Sequence, residues 1–166
     1  MIRYFIISGI KNAGKTTCII QLYNYLKHFG YQEVAIETTL NNDIICLLYN
    51  PYGQKFVLIN SASDNEDERQ KLEKFIYNHN LFKDKKYSNL VIITALREWA
   101  TGPYNCNIRV DYEKTLNLYH VRHSANLIDI TIGIDTNNLH KAQVNSYFRS
   151  ITNMAIYMIS SAPFYL

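Results

Sequence analysis

The stretch Gly9-Ile10-Lys11-Asn12-Ala13-Gly14-Lys15-Thr16 fills every fixed position of the pattern G-x-x-x-x-G-K-[ST]. Before it, the segment Met1–Ser8 holds a run of aromatic and β-branched residues, which predicts a short buried parallel strand. After it, apolar residues recur at helical spacing from Thr17 to Phe29, and Gly30 is a typical helix stop. The sequence therefore predicts a strand, a loop and a helix in direct succession, which is the context that gives this pattern chemical meaning.

Each fixed residue of the pattern has a mechanical task in binding phosphate. The glycines let the backbone curl so that its N–H groups face phosphate oxygens, and Lys15 reaches the β- and γ-phosphates as a candidate catalytic residue. Thr16 offers a hydroxyl to Mg²⁺, and the first turn of the helix adds its positive dipole end. The alternative is a turn that only joins strand to helix. We expect a nucleotide at this loop, bound by Gly9, Ile10, Lys11, Asn12, Ala13, Gly14, Lys15, Thr16 and Thr17.

Size and composition limit the classes of protein to consider. A length of 166 residues fits one domain, residues 1–166, and 48% hydrophobic residues indicate a globular chain. No apolar run approaches the roughly 20 residues of a membrane span, and no signal-peptide pattern opens the sequence, so we expect a cytoplasmic protein without a membrane partner. A net charge of +3 gives no strong nucleic-acid signal.

The three cysteines, Cys18, Cys46 and Cys106, lie outside any metal-ligand spacing and are expected to be reduced, buried thiols. Cys18 falls in the first turn of the first helix, where the dipole lowers a thiol pKa. It is therefore either a core residue or a reactive one.

Strand and helix patterns alternate along the rest of the chain. The predicted strands are Met1–Ser8, Glu33–Glu37, Asp43–Tyr49, Lys55–Asn60, Tyr87–Ala95 and Leu127–Ile134. The predicted helices are Thr17–Phe29, Asp64–Asn80, Val110–His123 and Asn137–Ser160. The turn signal Asn50-Pro51-Tyr52-Gly53 predicts a hairpin. The expected fold is thus α/β, a three-layer sandwich with a mostly parallel sheet and an antiparallel hairpin strand.

Ligands of such sheets bind beyond the carboxyl ends of the strands, so residues that follow each strand are candidates for the site. Glu37 ends a predicted strand and is a candidate Mg²⁺ ligand or base, or else a loop acid that faces water. Asp64 is a candidate metal ligand and catalytic residue. Alternatively, Asp64 or Ser63 caps the next helix, with Glu66 or Asp67 completing a capping box, and both roles can coexist.

Arg97 follows the apolar strand that contains Ile92 and Ile93. Its guanidinium is a candidate catalytic group, since it would stabilise charge that develops on a transferred phosphoryl group. The alternative is a structural ion pair with Glu98 or Asp64.

The segment from Gly9 to Thr17 resembles the P-loop of small P-loop NTPases, and its Lys-Asn-Ala-Gly-Lys-Thr-Thr wording is similar to that of the molybdopterin-guanine dinucleotide biosynthesis protein B group. This similarity covers residues 1–37. Residues 59–64 and 92–97 are similar to a set of small ATP-binding proteins in which Ser-x-Gly-Asp follows one strand and Ala-x-Arg the next. Here Ser63 replaces the glycine. The resemblance implies a P-loop fold that binds a nucleoside triphosphate.

The choice of base and reaction follows from what the sequence lacks. There is no [NT]-K-x-D segment to read guanine, and Ile134-Asp135-Thr136 is a poor substitute for one, so ATP is favoured over GTP. We expect Mg²⁺-dependent binding and hydrolysis of the triphosphate. One alternative is a kinase that phosphorylates a small molecule or nucleotide. Another is a nucleotide-gated switch that signals to a protein partner through the segment Thr38–Asp43.

Overall fold

Six strands and four helices alternate along the described part of the chain. The computed structural model describes residues 1–39, 42–62, 65–97, 106–121 and 124–166, apart from the side chains of Cys106, Asn107, His120 and Asn138. The strands are β1 Arg3–Gly9, β2 Gln32–Thr38, β3 Ile44–Asn50, β4 Lys55–Asn60, β5 Val91–Arg97 and β6 Leu127–Ile132. The helices are α1 Lys15–His28, α2 Glu66–Asn78, α3 Cys106–Thr115 and α4 Lys141–Ile159.

The strands form one sheet in the order β2-β3-β4-β5-β1-β6. Strands β4, β5, β1 and β6 run parallel, whereas β3 pairs antiparallel with both β2 and β4. Helices α1 and α4 pack on one face of the sheet, and α2 and α3 pack on the other. This confirms the predicted α/β class, the mostly parallel sheet and the antiparallel hairpin.

The hairpin between β3 and β4 forms at the predicted turn. The side-chain oxygen of Asn50 accepts hydrogen bonds from the backbone N–H groups of Tyr52 (2.9 Å) and Gly53 (3.2 Å). Because an asparagine side chain can replace a backbone carbonyl in this way, it fixes the reversal of the chain. Asn50 then faces Lys55 across the two strands.

All four helices begin at residues other than those predicted, and for α2 a local hydrogen bond decides where the helix starts. Helix α2 begins at Glu66, and its cap is Asn65, whose side chain accepts from the N–H of Glu68 (2.9 Å). The predicted cap at Ser63 or Asp64 is thus corrected to Asn65; Ser63 and Asp64 themselves lie outside the described residues. Helix α1 begins at Lys15, two residues before its predicted start.

The last two helices are shorter than predicted. Helix α3 begins at Cys106, before the predicted start at Val110, and it ends at Thr115 instead of His123. It ends there because Asn117 adopts a left-handed backbone (φ 58°) that breaks the helical path. Helix α4 begins at Lys141 instead of Asn137, since residues Thr136–Asn138 form a separate 3₁₀ turn capped by the Asp135 side chain. No helix in the described ranges combines the length and apolar character needed to cross a membrane.

Candidate functional site

The loop between β1 and α1 lies at the carboxyl edge of the parallel strands. Strand β1 ends at Gly9 and α1 begins at Lys15. Since β5 and β6 pair with β1 on its two sides, their last residues flank the loop, with Arg97 in register with Gly9 on one side and Ile132 on the other. The loop therefore occupies the position at which ligands bind in parallel α/β sheets.

Both fixed glycines of the loop are required by its packing. Gly14 has a φ of +89°, and a Cβ added there would come within 2.1 Å of the Phe148 ring on α4. A Cβ added to Gly9 would come within 2.4 Å of the Ile132 carbonyl oxygen. At Gly14, only glycine fits both the left-handed backbone and the close contact with Phe148. At Gly9, any Cβ would clash with the Ile132 carbonyl. The loop thus packs closely against Ile132 on β6 and Phe148 on α4.

The carbonyl groups of the loop are bound by donors from the protein. The Lys15 ammonium donates to the carbonyls of Gly9 (3.1 Å) and Ile10 (2.9 Å), and this side chain is buried. The Thr136 hydroxyl donates to the carbonyl of Asn12 (2.7 Å), and the Tyr147 hydroxyl donates to that of Ala13 (3.2 Å).

Fewer amide groups of the same loop are engaged, and one of these is the N–H of Ala13, which donates to the Ile10 carbonyl (3.4 Å). Within the described residues, no hydrogen bond engages the backbone N–H groups of Lys11, Asn12 or Gly14. The N–H groups of Thr16 and Thr17 belong to the first helical turn, which has no acceptors inside its own helix. The carbonyls of Gly9, Ile10, Asn12 and Ala13 are hydrogen-bonded, whereas the amides of Lys11, Asn12 and Gly14 have no acceptor among the described residues. The loop is therefore suited to bind an anion.

A buried carboxylate lies beside the hydroxyl of Thr16. The Thr16 Oγ1 is 3.1 Å from Asp43 Oδ1 and 3.3 Å from the carbonyl oxygen of Ser61. The Ser61 hydroxyl donates to the same Asp43 oxygen (2.9 Å) and accepts from the N–H of Ile44 (2.9 Å). Asp43 Oδ2 has no hydrogen-bond partner among the described residues. The arrangement leaves one carboxylate oxygen and one hydroxyl in reach of a common ligand.

Asp43 was not among the predicted site residues, because those were chosen from the residues that follow strands. Strand β3 runs antiparallel to β4, so the residue that precedes β3 lies at the carboxyl edge of the parallel strands. The predicted hairpin was the signal that could have found it. Residues just before the returning strand of a hairpin lie at the same edge as residues after its partner.

The predicted candidates at the strand ends are placed differently from one another. Glu37 is exposed near the end of the edge strand β2, which three strands separate from β1, and no hydrogen bond or ion pair links it to Thr16. Arg97 is half-buried beside Gly9. Asp64 and Glu98, the predicted ion-pair partners of Arg97, lie outside the described residues. The structure thus brings Arg97 to the loop and leaves Glu37 at the sheet edge.

Asn60 ends β4 at the position where the sequence has an amide after an apolar run. Its side-chain nitrogen donates to the carbonyl of Ala62 (2.8 Å) and to the hydroxyl of Thr94 (3.0 Å). Its Oδ1 is buried without a hydrogen-bond partner in the described part of the chain. A buried acceptor of this kind is one that a bound water satisfies at little cost.

A buried ionic cluster supports the loop from the α3 side of the sheet. Arg109 on α3 pairs with Glu113 (3.0 Å) and with Asp129 on β6 (3.0 Å). It also donates to the hydroxyl of Ser8 (3.1 Å) and to the carbonyl of Arg97 (3.0 Å), and the Ser8 hydroxyl donates to Asp129 (2.6 Å). Since Ser8 precedes Gly9, these contacts fix the strand that carries the loop.

The structure favours a core role for Cys18. Its side chain is 2% exposed, and burial raises the pKa of the thiol to about 11. The thiol therefore stays protonated at neutral pH and is a poor nucleophile. Cys46 is also buried and its pKa is raised to about 12, mainly by burial, while the side chain of Cys106 lies outside the described part.

A cleft of about 280 Å³ runs along the loop. One wall is formed by the loop and the first turn of α1, including Lys15 and Thr16. The other wall is formed by Thr136, Asn137 and Phe148. The cleft is therefore lined by the lysines of the loop and by polar and aromatic side chains that pack beside it.

The oxygen atoms of Thr16 and Asp43 suit Mg²⁺. The described residues contain no cluster of three or more His, Cys, Asp or Glu side chains that could enclose a metal. Mg²⁺ does not need one, because it keeps several waters and usually takes one or two protein oxygens together with phosphate oxygens. A hydroxyl 3.1 Å from a carboxylate is a donor set of that kind.

No protein-family model matches the chain, and no curated protein matches it. Its function is therefore inferred from the geometry of the loop and its surroundings.

Proposed function

We propose that the chain binds a nucleoside triphosphate with Mg²⁺ at the loop Gly9–Thr16 and hydrolyses it, with the fold of a P-loop NTPase. One observation carries the proposal. The carbonyls of Gly9, Ile10, Asn12 and Ala13 accept hydrogen bonds from protein donors, while the amides of Lys11, Asn12 and Gly14 have no acceptor among the described residues. A polyphosphate chain supplies the acceptors that these amides require.

Lys15 and Thr16 have different roles at the phosphates: Lys15 contacts phosphate oxygens, and Thr16 binds the metal. The Lys15 ammonium has three N–H donors, so it can exchange a loop carbonyl for a phosphate oxygen and neutralise charge on the γ-phosphate. Thr16 and Asp43 would hold Mg²⁺, which would offset the negative charge of the phosphates. Asp43 is a candidate metal ligand in addition to the predicted Asp64, which lies outside the described residues, and Glu37, which is exposed on β2.

In hydrolysis, water attacks the γ-phosphorus as the bond to the β-phosphate oxygen breaks. Such reactions depend mainly on positioning and on stabilising charge. The loop amides and Lys15 supply both at the γ-phosphate. Arg97 lies beside Gly9 at the same edge and remains the candidate for additional charge stabilisation.

A nucleotide-gated switch is the second candidate function, and the position of Asp43 favours it. Asp43 ends the segment Thr38–Asp43 and contacts Thr16 directly. Within this segment the N–H of Thr39 donates to the Asp43 carbonyl (2.9 Å). A triphosphate and its metal at Thr16 would therefore act on the segment, as ligands act on switch loops that order around a γ-phosphate.

The test of the proposal is Lys15→Ala, with Lys27→Ala as the control on the same helix. Lys27 lies at the far end of α1, where it pairs with Glu33 on the surface. We expect Lys15→Ala to abolish Mg·ATP binding measured by calorimetry, because hydrogen bonds to charged groups are worth about 1.5–3 kcal/mol each. Lys27→Ala should bind as the wild type does. Unchanged binding in Lys15→Ala would refute the proposal.

The product of the reaction separates the candidate functions. Release of free phosphate supports hydrolysis, and transfer of the phosphoryl group to an added metabolite supports a kinase. Binding with negligible turnover, together with a protein partner captured only in the triphosphate state, supports the switch.

A further inference from the structure

The cleft beside the loop extends past the phosphate-binding residues to a second group of side chains. Thr136 and Asn137 come from the 3₁₀ turn after β6, and Phe148 comes from α4. They reach the loop because β6 is the neighbour of β1 in the sheet. A ligand whose phosphates occupy the loop would place its other end against this wall.

Phe148 offers an aromatic surface in the cleft. One edge of its ring packs on Gly14, and the side chain is half-buried. The ring also borders a separate hollow of about 220 Å³ on α4, which Asn145 and Arg149 line. An aromatic ring in such a place stacks well on a nucleobase, and stacking of this kind is worth about 1–3 kcal/mol per base.

Asn137 offers a hydrogen-bonding pair on the same wall. The backbone N–H of Asn137 donates to the Asp135 carboxylate (3.0 Å), which holds that carboxylate at the 3₁₀ turn. The side chain of Asn137 is exposed and lines the cleft. The neighbouring Thr136 hydroxyl is engaged by the carbonyl of Asn12. The amide of Asn137 therefore brings a donor and an acceptor side by side.

We propose that Asn137 and Phe148 bind the base of the nucleotide and select adenine; this rests on the proposed function. Adenine presents an N6 donor beside an N7 acceptor, which an asparagine amide matches with two hydrogen bonds. Guanine presents the N1–H and N2–H₂ donors together, which a carboxylate matches best. No carboxylate lines the described cleft, and its cations, Lys11 and Lys15, belong to the loop.

The test compares ATP, GTP and inorganic tripolyphosphate, each titrated with Mg²⁺ into the full chain by calorimetry. We expect ATP to bind more tightly than GTP by roughly 5- to 150-fold, the range of a good bidentate pair with a base. Asn137→Asp should weaken ATP, strengthen GTP and reverse this preference. Asn145→Asp is the matched control, since it adds the same charge at the neighbouring hollow and should leave the ATP/GTP ratio unchanged.

Phe148→Ala provides a second measurement, with Phe148→Trp as the variant that keeps an aromatic surface. Phe148→Ala should weaken ATP by about fivefold or more and spare tripolyphosphate, because stacking acts on the base alone. Phe148→Trp should retain ATP binding.

Two results would overturn the inference while the proposed function stands. One is equal binding of ATP and GTP in the wild type, and the other is a base preference that Asn145→Asp changes and Asn137→Asp does not. Failure of tripolyphosphate and both nucleotides to bind the wild type would overturn the proposed function together with the inference.

Discussion

Asp43 and Thr16 share a hydrogen bond of 3.1 Å at the mouth of the loop, and Ser61 donates to the same carboxylate oxygen. Asp43 could serve either to support the loop or to hold a metal, and these two roles predict different effects of Asp43→Asn. If Asp43 holds Mg²⁺, the amide keeps an acceptor for the two hydroxyls but loses the charge that attracts the metal. We expect Mg²⁺-dependent hydrolysis to fall by at least about tenfold, the effect typical of altered metal environments.

The matched measurement for Asp43→Asn is tripolyphosphate binding without Mg²⁺. It should be unchanged or tighter, because the substitution removes a negative charge near the loop. Equal loss of metal-free binding and hydrolysis would assign Asp43 to support of the loop alone. Glu37→Gln, at an exposed position on β2, should leave both quantities at the wild-type level.

The positive φ angles of Gly14 and Gly30 allow the contact at the loop to be measured separately from backbone strain. The two angles are +89° and +86°, but a Cβ at Gly30 would meet nothing within 4 Å, whereas one at Gly14 would meet Phe148. Gly30→Ala should destabilise the fold by about 1–2 kcal/mol, the cost of a left-handed alanine. Gly14→Ala should add a further ~1–3 kcal/mol for overpacking. Urea unfolding of both variants measures these free energies. Equal destabilisation by the two substitutions would show that the Phe148 side chain moves aside without a cost in free energy.

At the scale of elements, Arg109 joins helix α3 to strands β1 and β6. Its guanidinium is buried and pairs with Glu113 and Asp129. Removing one partner from a buried ion pair leaves the others uncompensated. We expect Arg109→Met to lower the free energy of unfolding by about 3 kcal/mol, the low end for such pairs, because the Asp129 side chain is 26% exposed.

Lys114→Met is the control for Arg109→Met on the same helix. Lys114 pairs with Asp111 at the surface, with the lysine side chain 60% exposed, so its loss should lower the free energy of unfolding far less than the loss of Arg109 does. Denaturant unfolding compares the two variants. A loss in Arg109→Met no larger than in Lys114→Met would show that the cluster does not hold α3 to the sheet.

The positions of the elements followed from the sequence better than their ends did. Strand β4 has the predicted bounds because its apolar run stops at a hairpin on one side and at polar residues on the other. The start of α2 depended on which of several polar residues capped it, and Asn65 is the one that does. Such a choice depends on how the preceding loop approaches the helix, which the spacing of apolar residues does not record.

Across the whole molecule, the sequence predicted the parallel core and the loop between β1 and α1, because both depend on local patterns. The Thr16–Asp43 pair depends instead on an antiparallel return between β2 and β4, which joins residues 27 positions apart. The Arg109–Ser8 contact likewise joins residues 101 positions apart. Contacts at such separations follow from the order of strands in the sheet, and the sequence alone specified that order only in part.

The most direct test of the central claim is a crystal structure of the chain with Mg²⁺ and a non-hydrolysable ATP analogue. We expect β- and γ-phosphates within hydrogen-bond distance of the loop amides and of Lys15, and Mg²⁺ held by Thr16 and Asp43. Phosphates bound elsewhere, or a loop whose amides turn away from them, would contradict it.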